Sequence, residues 1–463
     1  MRIVRKHKLA LLFFLALLPA MLLRDFTPSN ELRYISIADE ALRDGHIFAF
    51  FNHGLMYADK PPLYLWIVML GRYLFGGGCM LFLSLFSLIP AIVIVRTMRQ
   101  WTVAELPADQ SDVARFMLFT CGLFPVMAVT LRMDMLMVMF IVLALRRFSI
   151  MEQRAQYGWH NSWRFAFYVF MAIFSKGPLG ILIPLVSILV YALWTRRLRL
   201  FFRAWNGRTF IVLIALCAVW FSCAYLEGGA PYLNEMLFHQ TMGRAVNAFH
   251  HKRPFYFYLI ALLYTMLPWL PYIVITAWKA IRRRISISAT ERLFISIIAS
   301  TFIMLSAFSS KLQVYLLPIF PFAVYLGVLL GVRTGCTCRL PLVKRFAYIL
   351  LFIIFLGGLA LPWINPYIGY RDACREATRQ QALLPSGASH TLYTFDVRRP
   401  ENIDAFGLQP LEITDTTCTD GLPSQTFVAI ARSGHMPATL NAADSTLVGN
   451  LVVFTHRPCR TAP

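Results

Sequence analysis

Long apolar stretches separated by short basic loops dominate this chain. Of its 463 residues, 58% are hydrophobic and 14% are charged, whereas soluble domains typically carry about 45–50% apolar and about 25% charged residues. A composition this apolar also excludes intrinsic disorder. Because about 20 apolar residues of helix cross a bilayer core of about 30 Å, we predict an all-α polytopic membrane protein with eleven or more spans. The predicted spans are residues 9–23, 79–95, 113–131, 134–148, 164–175, 177–194, 209–225, 256–278, 293–308, 312–331 and 346–363.

The basic residues predict how these spans are oriented. Cytoplasmic loops of membrane proteins are enriched in Lys and Arg, and every second loop of this map is a basic cluster if the N-terminus is cytoplasmic. The excess of 44 basic over 23 acidic residues, a formal net charge of +21, therefore reflects topology and does not indicate a nucleic-acid partner. The clusters are Arg2–Lys8, Arg96–Arg115, Arg146–Arg164, Arg196–Arg208, Lys279–Arg292 and Arg333–Arg345.

The last hundred residues form a second domain in this interpretation. Residues 1–363 would be the transmembrane domain, and an odd number of spans places residues 364–463 outside. Apolar runs shorten there, which predicts a small α/β domain of about the usual size. We expect a helix at residues 371–384 and strands at 391–396, 426–431 and 447–455. Two of Cys374, Cys418 and Cys459 could form a disulfide in an oxidising compartment, but the spacing does not determine the pairing.

The first outside loop, residues 24–78, is predicted to contain two helices that lie on the membrane surface. Leu32–Asp44 has an apolar face and a charged face at helical spacing, which suits an interfacial helix. Thr27 and Pro28 stand before it as a cap and a first helical residue. Pro62–Phe75 is a second, more apolar helix of the same kind.

Charged and polar groups stand at the outer edge of the predicted spans, all on the side of the first loop. Ionisable residues at membrane depth are costly and therefore usually functional. Cations and carboxylates that converge on one rim suggest a site for an anionic lipid head group beside an acid or base. These groups are Asn30, Glu31, Asp59, Lys60, Arg132, Asp134, Lys176, Arg244 and Lys311.

Each of these groups also has a structural interpretation. Glu31 could complement the dipole of the helix that it opens. Lys176 and Lys311 could simply extend their ammonium groups to the interface, and Arg132 could form a structural ion pair with Asp134. The joint pattern on one side of the membrane, rather than any single residue, favours a functional site.

The motifs in these loops resemble those of a known family. Residues 30–34 and 57–64 read NELRY and YADKPPLY. They resemble the first extracytoplasmic loop of the aminoarabinose-to-lipid-A transferases and protein O-mannosyltransferases, which reads Asp-Glu-x-Arg-Tyr and then Tyr-x-Glu-Lys-Pro-Pro. The likeness continues in order along residues 1–363, at Arg132–Leu136, Ser175–Pro178, Arg244 with Pro254–Tyr258, and Ser310–Pro318.

This resemblance implies a GT-C fold with an extracytoplasmic active site in a bacterial inner membrane. It implies transfer of a sugar from a polyprenyl-phosphate donor to a hydroxyl or phosphate of a lipid, glycan or protein acceptor. By the same resemblance, Lys60, Arg244 and Tyr315 contact the donor phosphate, with Lys176, Lys311 and Arg132 near it. The acidic pair of the first loop would supply the general base, and in-line attack would invert the anomeric configuration.

The first loop departs from the family pattern at one position. The leading Asp of the family's Asp-Glu pair is Asn30 here, and an amide cannot take up a proton as a carboxylate does. We therefore expect Glu31 to be the base, with Asp59 and Asp134 as rivals and Asn30 as a positioning group. A divalent metal is compatible with these carboxylates, but there is no Asp-x-Asp pair, so the sequence assigns no metal ligand and no certain cofactor.

Two other functions are compatible with the same residues. A transporter or flippase of a lipid-linked sugar would use the basic pocket without chemistry. Transporters often show two related halves with broken helices near the midplane, and the ionisable groups here gather at one rim instead. A membrane-anchored binding protein would use residues 364–463 for its partner.

Overall fold

Helices form most of the protein in a computed structural model that describes residues 2–239, 253–386, 388–408, 410–413, 425–436, 440 and 442–457. A short hairpin, β1 (Phe51–Asn52) and β2 (Leu55–Met56), lies in the first loop. The helices are α1 (Arg2–Leu23), α2 (Arg33–Asp44), α3 (Pro62–Phe75), α4 (Met80–Trp101), α5 (Ala108–Phe119), α6 (Leu123–Met127), α7 (Asp134–Arg154), α8 (Trp159–Lys176), α9 (Leu179–Trp194), α10 (Arg199–Ala204), α11 (Gly207–Asn234), α12 (Phe257–Thr265), α13 (Leu270–Arg282), α14 (Ala289–Ala307), α15 (Ile319–Arg333), α16 (Leu340–Leu359), α17 (Leu361–Ile368) and α18 (Arg371–Ala382).

The apolar helices suit membrane spans. Within the described residues, four are long and apolar enough to cross a bilayer: α4, α14, α16 and residues 207–237, which include α11. Two bent pairs, residues 8–23 with 28–44 and 257–265 with 270–282, would raise that number to six, and α9 and α15 are apolar but shorter. Each of the eleven predicted stretches falls on a helix or a broken helix pair. The helix positions are therefore confirmed except in 113–131, where α5 ends at Phe119 and only the five-residue α6 follows after a break. The number of spans stays a prediction.

The predicted span 256–278 is not one straight helix. Its two parts, α12 and α13, are bent by 113°, and Pro268 stands in the break, where it cannot donate a helical hydrogen bond. The backbone N–H of Gly122 donates to the carbonyl oxygen of Leu267 at 2.8 Å. A Cβ atom at residue 122 would lie 2.5 Å from the carbonyl oxygen of Thr265, so the close approach of these backbones requires glycine.

The C-terminal part has the predicted α/β composition. Its strands are β3 (Leu392–Phe395), β4 (Pro410–Ile413), β5 (Phe427–Arg432), β6 (Ala442–Val448) and β7 (Leu451–His456). Helix α18 coincides with the predicted helix, and it packs on a five-stranded sheet of order β4-β3-β5-β7-β6. The predicted single strand at 447–455 is wrong, because Gly449, with φ of 59°, turns the chain there and makes an antiparallel hairpin of β6 and β7.

One apolar cluster joins the first loop to the C-terminal sheet. Leu32 and Ile35 from the first loop and Ile403, Val428 and Val453 from the C-terminal part belong to it, each at most 2% exposed. The apolar face of α2 is therefore covered by protein. The expectation that this face lies against lipid is wrong, because α3 and the C-terminal part cover it.

Polar contacts reinforce the junction between the first loop and the C-terminal part. The Asp404 carboxylate accepts a hydrogen bond from the Ser36 hydroxyl at 2.5 Å and lies 3.0 Å from Nε2 of His53. The side-chain amide of Asn402 donates to the carbonyl oxygen of Pro28 at 2.9 Å. These contacts hold the first loop, which carries several of the candidate site residues, in one position.

Candidate functional site

A cavity of about 470 Å³ brings together residues that the sequence analysis selected from three separate segments. Asp59 and Lys60 come from the first loop, Lys176 from the end of α8, and Tyr315 from a turn before α15; all four line the cavity. The other wall is apolar, and it includes Ile181, Leu182, Trp220, Phe221, Leu305 and Phe308.

The local sequence holds Asp59 and Lys60 just before the first residue of α3. Pro62 is the first residue of this helix, and Pro61 is its extended cap, with φ of −64° and ψ of 157°. A proline biases the residue before it towards an extended conformation, and it also suits the first helical position, where its missing N–H leaves no bond unmade. The two prolines therefore end the loop sharply, with Asp59 and Lys60 half-buried beside the cavity.

Asp134 organises two cations beside the cavity. Its carboxylate is fully buried; one oxygen lies 3.0 Å from Nε of Arg132, and the other pairs with the Lys176 ammonium group. Lys176 also lies 4.4 Å from the centre of the Tyr315 ring, within the range of a cation–π contact. Both carboxylate oxygens are thus engaged, and one carboxylate between two cations leaves an excess positive charge.

Arg132 is held in its charged form by this arrangement. Burial by itself would lower the pKa of the Arg132 guanidinium, but the adjacent Asp134 carboxylate raises that pKa above its ordinary value. A buried ion pair of this kind is strongly destabilised when one partner is removed, because an uncompensated charge stays in the interior.

Glu31 lies at the centre of a separate network. Both oxygens accept hydrogen bonds from the Arg24 guanidinium, at 2.6 and 2.8 Å. The backbone N–H and hydroxyl of Thr27 donate at 2.8 and 3.0 Å, and the backbone N–H of Leu131 donates at 2.9 Å. Glu31 is 1% exposed. Its carboxylate therefore ties the end of α1 and the first loop to the connection between α6 and α7.

The same network sets the protonation of Glu31. Burial by itself would raise the pKa of this carboxyl group, but the Arg24 charge and the hydrogen bonds from Arg24, Thr27 and Leu131 hold the pKa below its ordinary value. A carboxylate with a low pKa and five donors is a poor proton acceptor.

The remaining residues that were predicted to form the site do not line the cavity or lie outside the described residues. Asn30 is half-buried in the turn before α2. The Lys311 ammonium group is buried and donates to the carbonyl oxygen of Phe308 at 2.5 Å. Neither lines the cavity, as far as the described residues define it. Arg244 lies outside the described residues, as do Cys418 and Cys459.

Sequence reasoning missed two features of this region. The first is Arg24, the ion-pair partner of Glu31. It follows the first span directly and stands seven residues before Glu31, and this position of a cation at a helix end could have indicated the pair. The apolar wall carried no signal, because Trp220 and Phe221 cannot be distinguished in sequence from residues that face lipid. Among the described residues, no group of three His, Cys, Asp or Glu side chains is arranged to hold a metal ion.

The geometry suits an amphiphilic anion. Two ammonium groups, Lys60 and Lys176, line the same cavity as the apolar wall, so a phosphate could bind the cations while a hydrocarbon chain covers the apolar wall. Charge-assisted hydrogen bonds to phosphate are roughly twice as strong as neutral ones. Asp59 adds a carboxylate to the lining of this cavity.

Comparison with known proteins agrees with this geometry. No protein-family model matches the chain. It is 26% identical over 366 residues to the undecaprenyl phosphate-alpha-4-amino-4-deoxy-L-arabinose arabinosyl transferase of Edwardsiella ictaluri, which covers 76% of this chain and 63% of the relative. The identity to the protein of the same name in Erwinia tasmaniensis is 26% over 321 residues, 66% of this chain and 55% of the relative. The chain thus matches less than two thirds of the length of these relatives.

Solved structures identify the fold. ArnT from Cupriavidus metallidurans in complex with undecaprenyl phosphate superimposes with a TM-score of 0.71 at 16% identity, over 99% of both chains. The oligosaccharyltransferase of Archaeoglobus fulgidus gives a TM-score of 0.52 at 12% identity, over 91% of this chain and 68% of the other. The resemblance inferred from the loop motifs is confirmed: the chain has the GT-C fold of ArnT and resembles the undecaprenyl-phosphate aminoarabinose arabinosyl transferases in sequence.

Proposed function

We propose that this protein is a membrane glycosyltransferase that moves a sugar from a polyprenyl-phosphate donor to an acceptor on the extracytoplasmic face. The observation that carries the proposal is the cavity in which Asp59, Lys60, Lys176 and Tyr315 meet an apolar wall. The named activity of the arabinosyl transferase relatives and the complex of ArnT with undecaprenyl phosphate support the donor class.

Lys60 and Lys176 bind the donor phosphate in this proposal. Their charges stabilise the phosphate as it leaves the anomeric carbon, which lowers the barrier of the transfer step. Asp134 and Tyr315 act as positioning residues, because the Asp134 carboxylate pairs with Lys176 and the Tyr315 ring lies against its ammonium group. Arg132 adds positive charge behind them, and Arg244 and Lys311 are further candidates for phosphate contact from the family resemblance alone.

Asp59 is the general base in this proposal. The acceptor hydroxyl loses its proton to the Asp59 carboxylate, its oxygen forms a bond to the anomeric carbon, and the bond from that carbon to the phosphate oxygen breaks. The products are an inverted glycoside and polyprenyl phosphate. Glu31 and Asp134 are weaker candidates because neither lines the cavity among the described residues, whereas Asp59 does, and Asn30 positions the first loop without taking a proton.

We propose a lipid hydroxyl or phosphate as the acceptor, with glycan and protein hydroxyls as alternatives. The proposed location is a bacterial inner membrane, with the N-terminus in the cytoplasm and residues 364–463 in the periplasm. The basic loop clusters at the end of the helices opposite the cavity support this orientation. Residues 1–363 would then form the transferase domain, and the C-terminal part would brace the first loop through Asn402 and Asp404.

The test is transfer of a labelled sugar from its undecaprenyl-phosphate donor to lipid A in proteoliposomes, with glycan and peptide acceptors in parallel. Lys60→Ala should lower kcat/KM about 10- to 150-fold, since a hydrogen bond to a charged group contributes about 1.5–3 kcal/mol and each 1.4 kcal/mol is a factor of ten. Lys344→Ala, at the opposite end of the bundle on α16, is the matched control. A product of retained configuration would refute single displacement. Donor movement across the bilayer without any product would indicate a transporter instead of an enzyme.

A further inference from the structure

A second, larger cavity of about 830 Å³ lies between α1, α4, α5 and α7. Four arginines line it, together with an apolar wall formed by Ala10, Ile92, Val95 and Phe119. The four arginines, which we call the arginine cluster, are Arg96, Arg99, Arg115 and Arg146.

The arginine cluster is remote from the candidate active site. Helix α7 begins at Asp134, beside the first cavity, and Arg146 follows twelve residues later. At 1.5 Å per residue, about 18 Å of helix axis separates them. Likewise, α4 begins at Met80, next to Arg24, and carries Arg96 and Arg99 near its other end. The second cavity therefore opens at the opposite membrane face.

The positive charge of this cluster is poorly compensated by the protein. Arg115 pairs with Asp112 at 2.8 Å, and Arg146 donates to the neutral amide oxygen of Gln100 at 2.6 Å. Across the described ranges, Asp112 is the single carboxylate within ion-pair distance of these four guanidinium groups. Basic residues that only set topology can stand on exposed loops, whereas these converge from three helices on one cavity with an apolar wall.

We propose that the arginine cluster binds the phosphate of an anionic phospholipid from the leaflet opposite the candidate active site. A guanidinium group matches phosphate oxygens with two parallel hydrogen bonds, and the apolar wall accommodates an acyl chain beside the head group. Basic pockets between membrane helices are typical places for such head groups. The proposal concerns lipid binding alone and does not depend on the transferase function.

Native mass spectrometry of the full-length protein in detergent tests this assignment, with phosphatidylglycerol, phosphatidylcholine and inorganic phosphate titrated separately. The test variant is Arg96→Gln/Arg99→Gln, because Arg96 is exposed and Arg99 half-buried, so their loss should not disturb folding. The control is Arg154→Gln/Arg345→Gln, which removes two exposed charges outside the cavity. Each arginine near an anionic lipid is worth about a factor of five in affinity.

We expect the test variant to bind phosphatidylglycerol about 25-fold more weakly than the wild type, with less than a threefold change in the control. Phosphatidylcholine should bind weakly to all three. Equal weakening in both variants, or none in either, would overturn the proposal, because lipid would then respond to overall charge or not to the cluster. Saturable binding of inorganic phosphate that displaces phosphatidylglycerol would overturn the lipid assignment and identify a site for free phosphate instead.

Discussion

Replacing Glu31 by Gln separates a structural carboxylate from a catalytic one. Glu31 is fully buried, and its partner Arg24 has 12% of its side chain exposed. Glutamine keeps the size of the side chain but replaces one acceptor oxygen by a donor NH₂ group. This group would face the donors of Arg24, Thr27 or Leu131. Breaking a buried ion pair by removing one partner typically costs about 3–5 kcal/mol, so we expect Glu31→Gln to lower the free energy of unfolding by about that amount.

The pH dependence of this effect has a definite sign. Because the pKa of Glu31 is lowered in the folded state, its ion pair stabilises the protein above the unfolded pKa of about 4.3 and loses that contribution as the pH falls through the folded-state pKa. The stability of the wild type should therefore fall more steeply with acidification below pH about 4.3 than that of Glu31→Gln.

Unfolding of the detergent-solubilised protein, followed by tryptophan fluorescence, measures the stability, and sugar transfer in proteoliposomes measures the function. Arg24→Gln/Glu31→Gln is the internal control, since removing both charges should recover part of the loss. Asp59→Asn removes the proposed base and should reduce transfer by about 100-fold or more. Wild-type stability of Glu31→Gln together with abolished transfer would refute our reasoning and make Glu31 the base.

Three further predictions follow from single contacts. Asp134→Asn leaves the buried Lys176 and the half-buried Arg132 without their carboxylate and should cost about 3–5 kcal/mol of unfolding free energy with loss of transfer; wild-type unfolding would contradict the structural importance of these ion pairs. The hydrogen bond to Asp404 raises the pKa of His53, so their contact stabilises the protein below pH about 6.5 and weakens as the pH rises through the folded-state pKa. His53→Gln should flatten that part of the stability profile, and an unchanged profile would exclude this junction as its source. Gly122→Ala should destabilise by about 1–3 kcal/mol, because a methyl group would lie 2.5 Å from the backbone oxygen of Thr265. Denaturant unfolding measures this change, and a neutral effect would contradict the close approach of the two backbones.

Local physical chemistry made much of the site accessible from the sequence. Lys60 stands before two prolines, which disfavour a helical conformation of the preceding residue and suit the first position of a following helix. Lys176 and Asp134 stand at the ends of apolar runs, which places both at a membrane edge. Such rules act over a few residues, so they could be read without knowing which helices are neighbours.

The role of Glu31 depends on contacts that local rules do not describe. The sequence indicates that Glu31 opens a helix, and a catalytic or a dipole-compensating role follows equally well from that position. Its partners are Arg24, seven residues earlier, and the backbone of Leu131, one hundred residues later. Whether a carboxylate is available for proton transfer depends on which donors surround it, and that is a property of packing.

Apolar length, charge alternation and motif order are properties of the linear chain, so the helical membrane architecture, the α/β composition of the C-terminal part and the resemblance to the GT-C transferases could be predicted without the fold. The packing of α2 against protein, the cavity that Asp59 rather than Glu31 shares with Lys60 and Lys176, and the convergence of four arginines at the opposite face became visible in the folded chain. Burial and ion pairing join residues far apart in the chain, and no local pattern contains them.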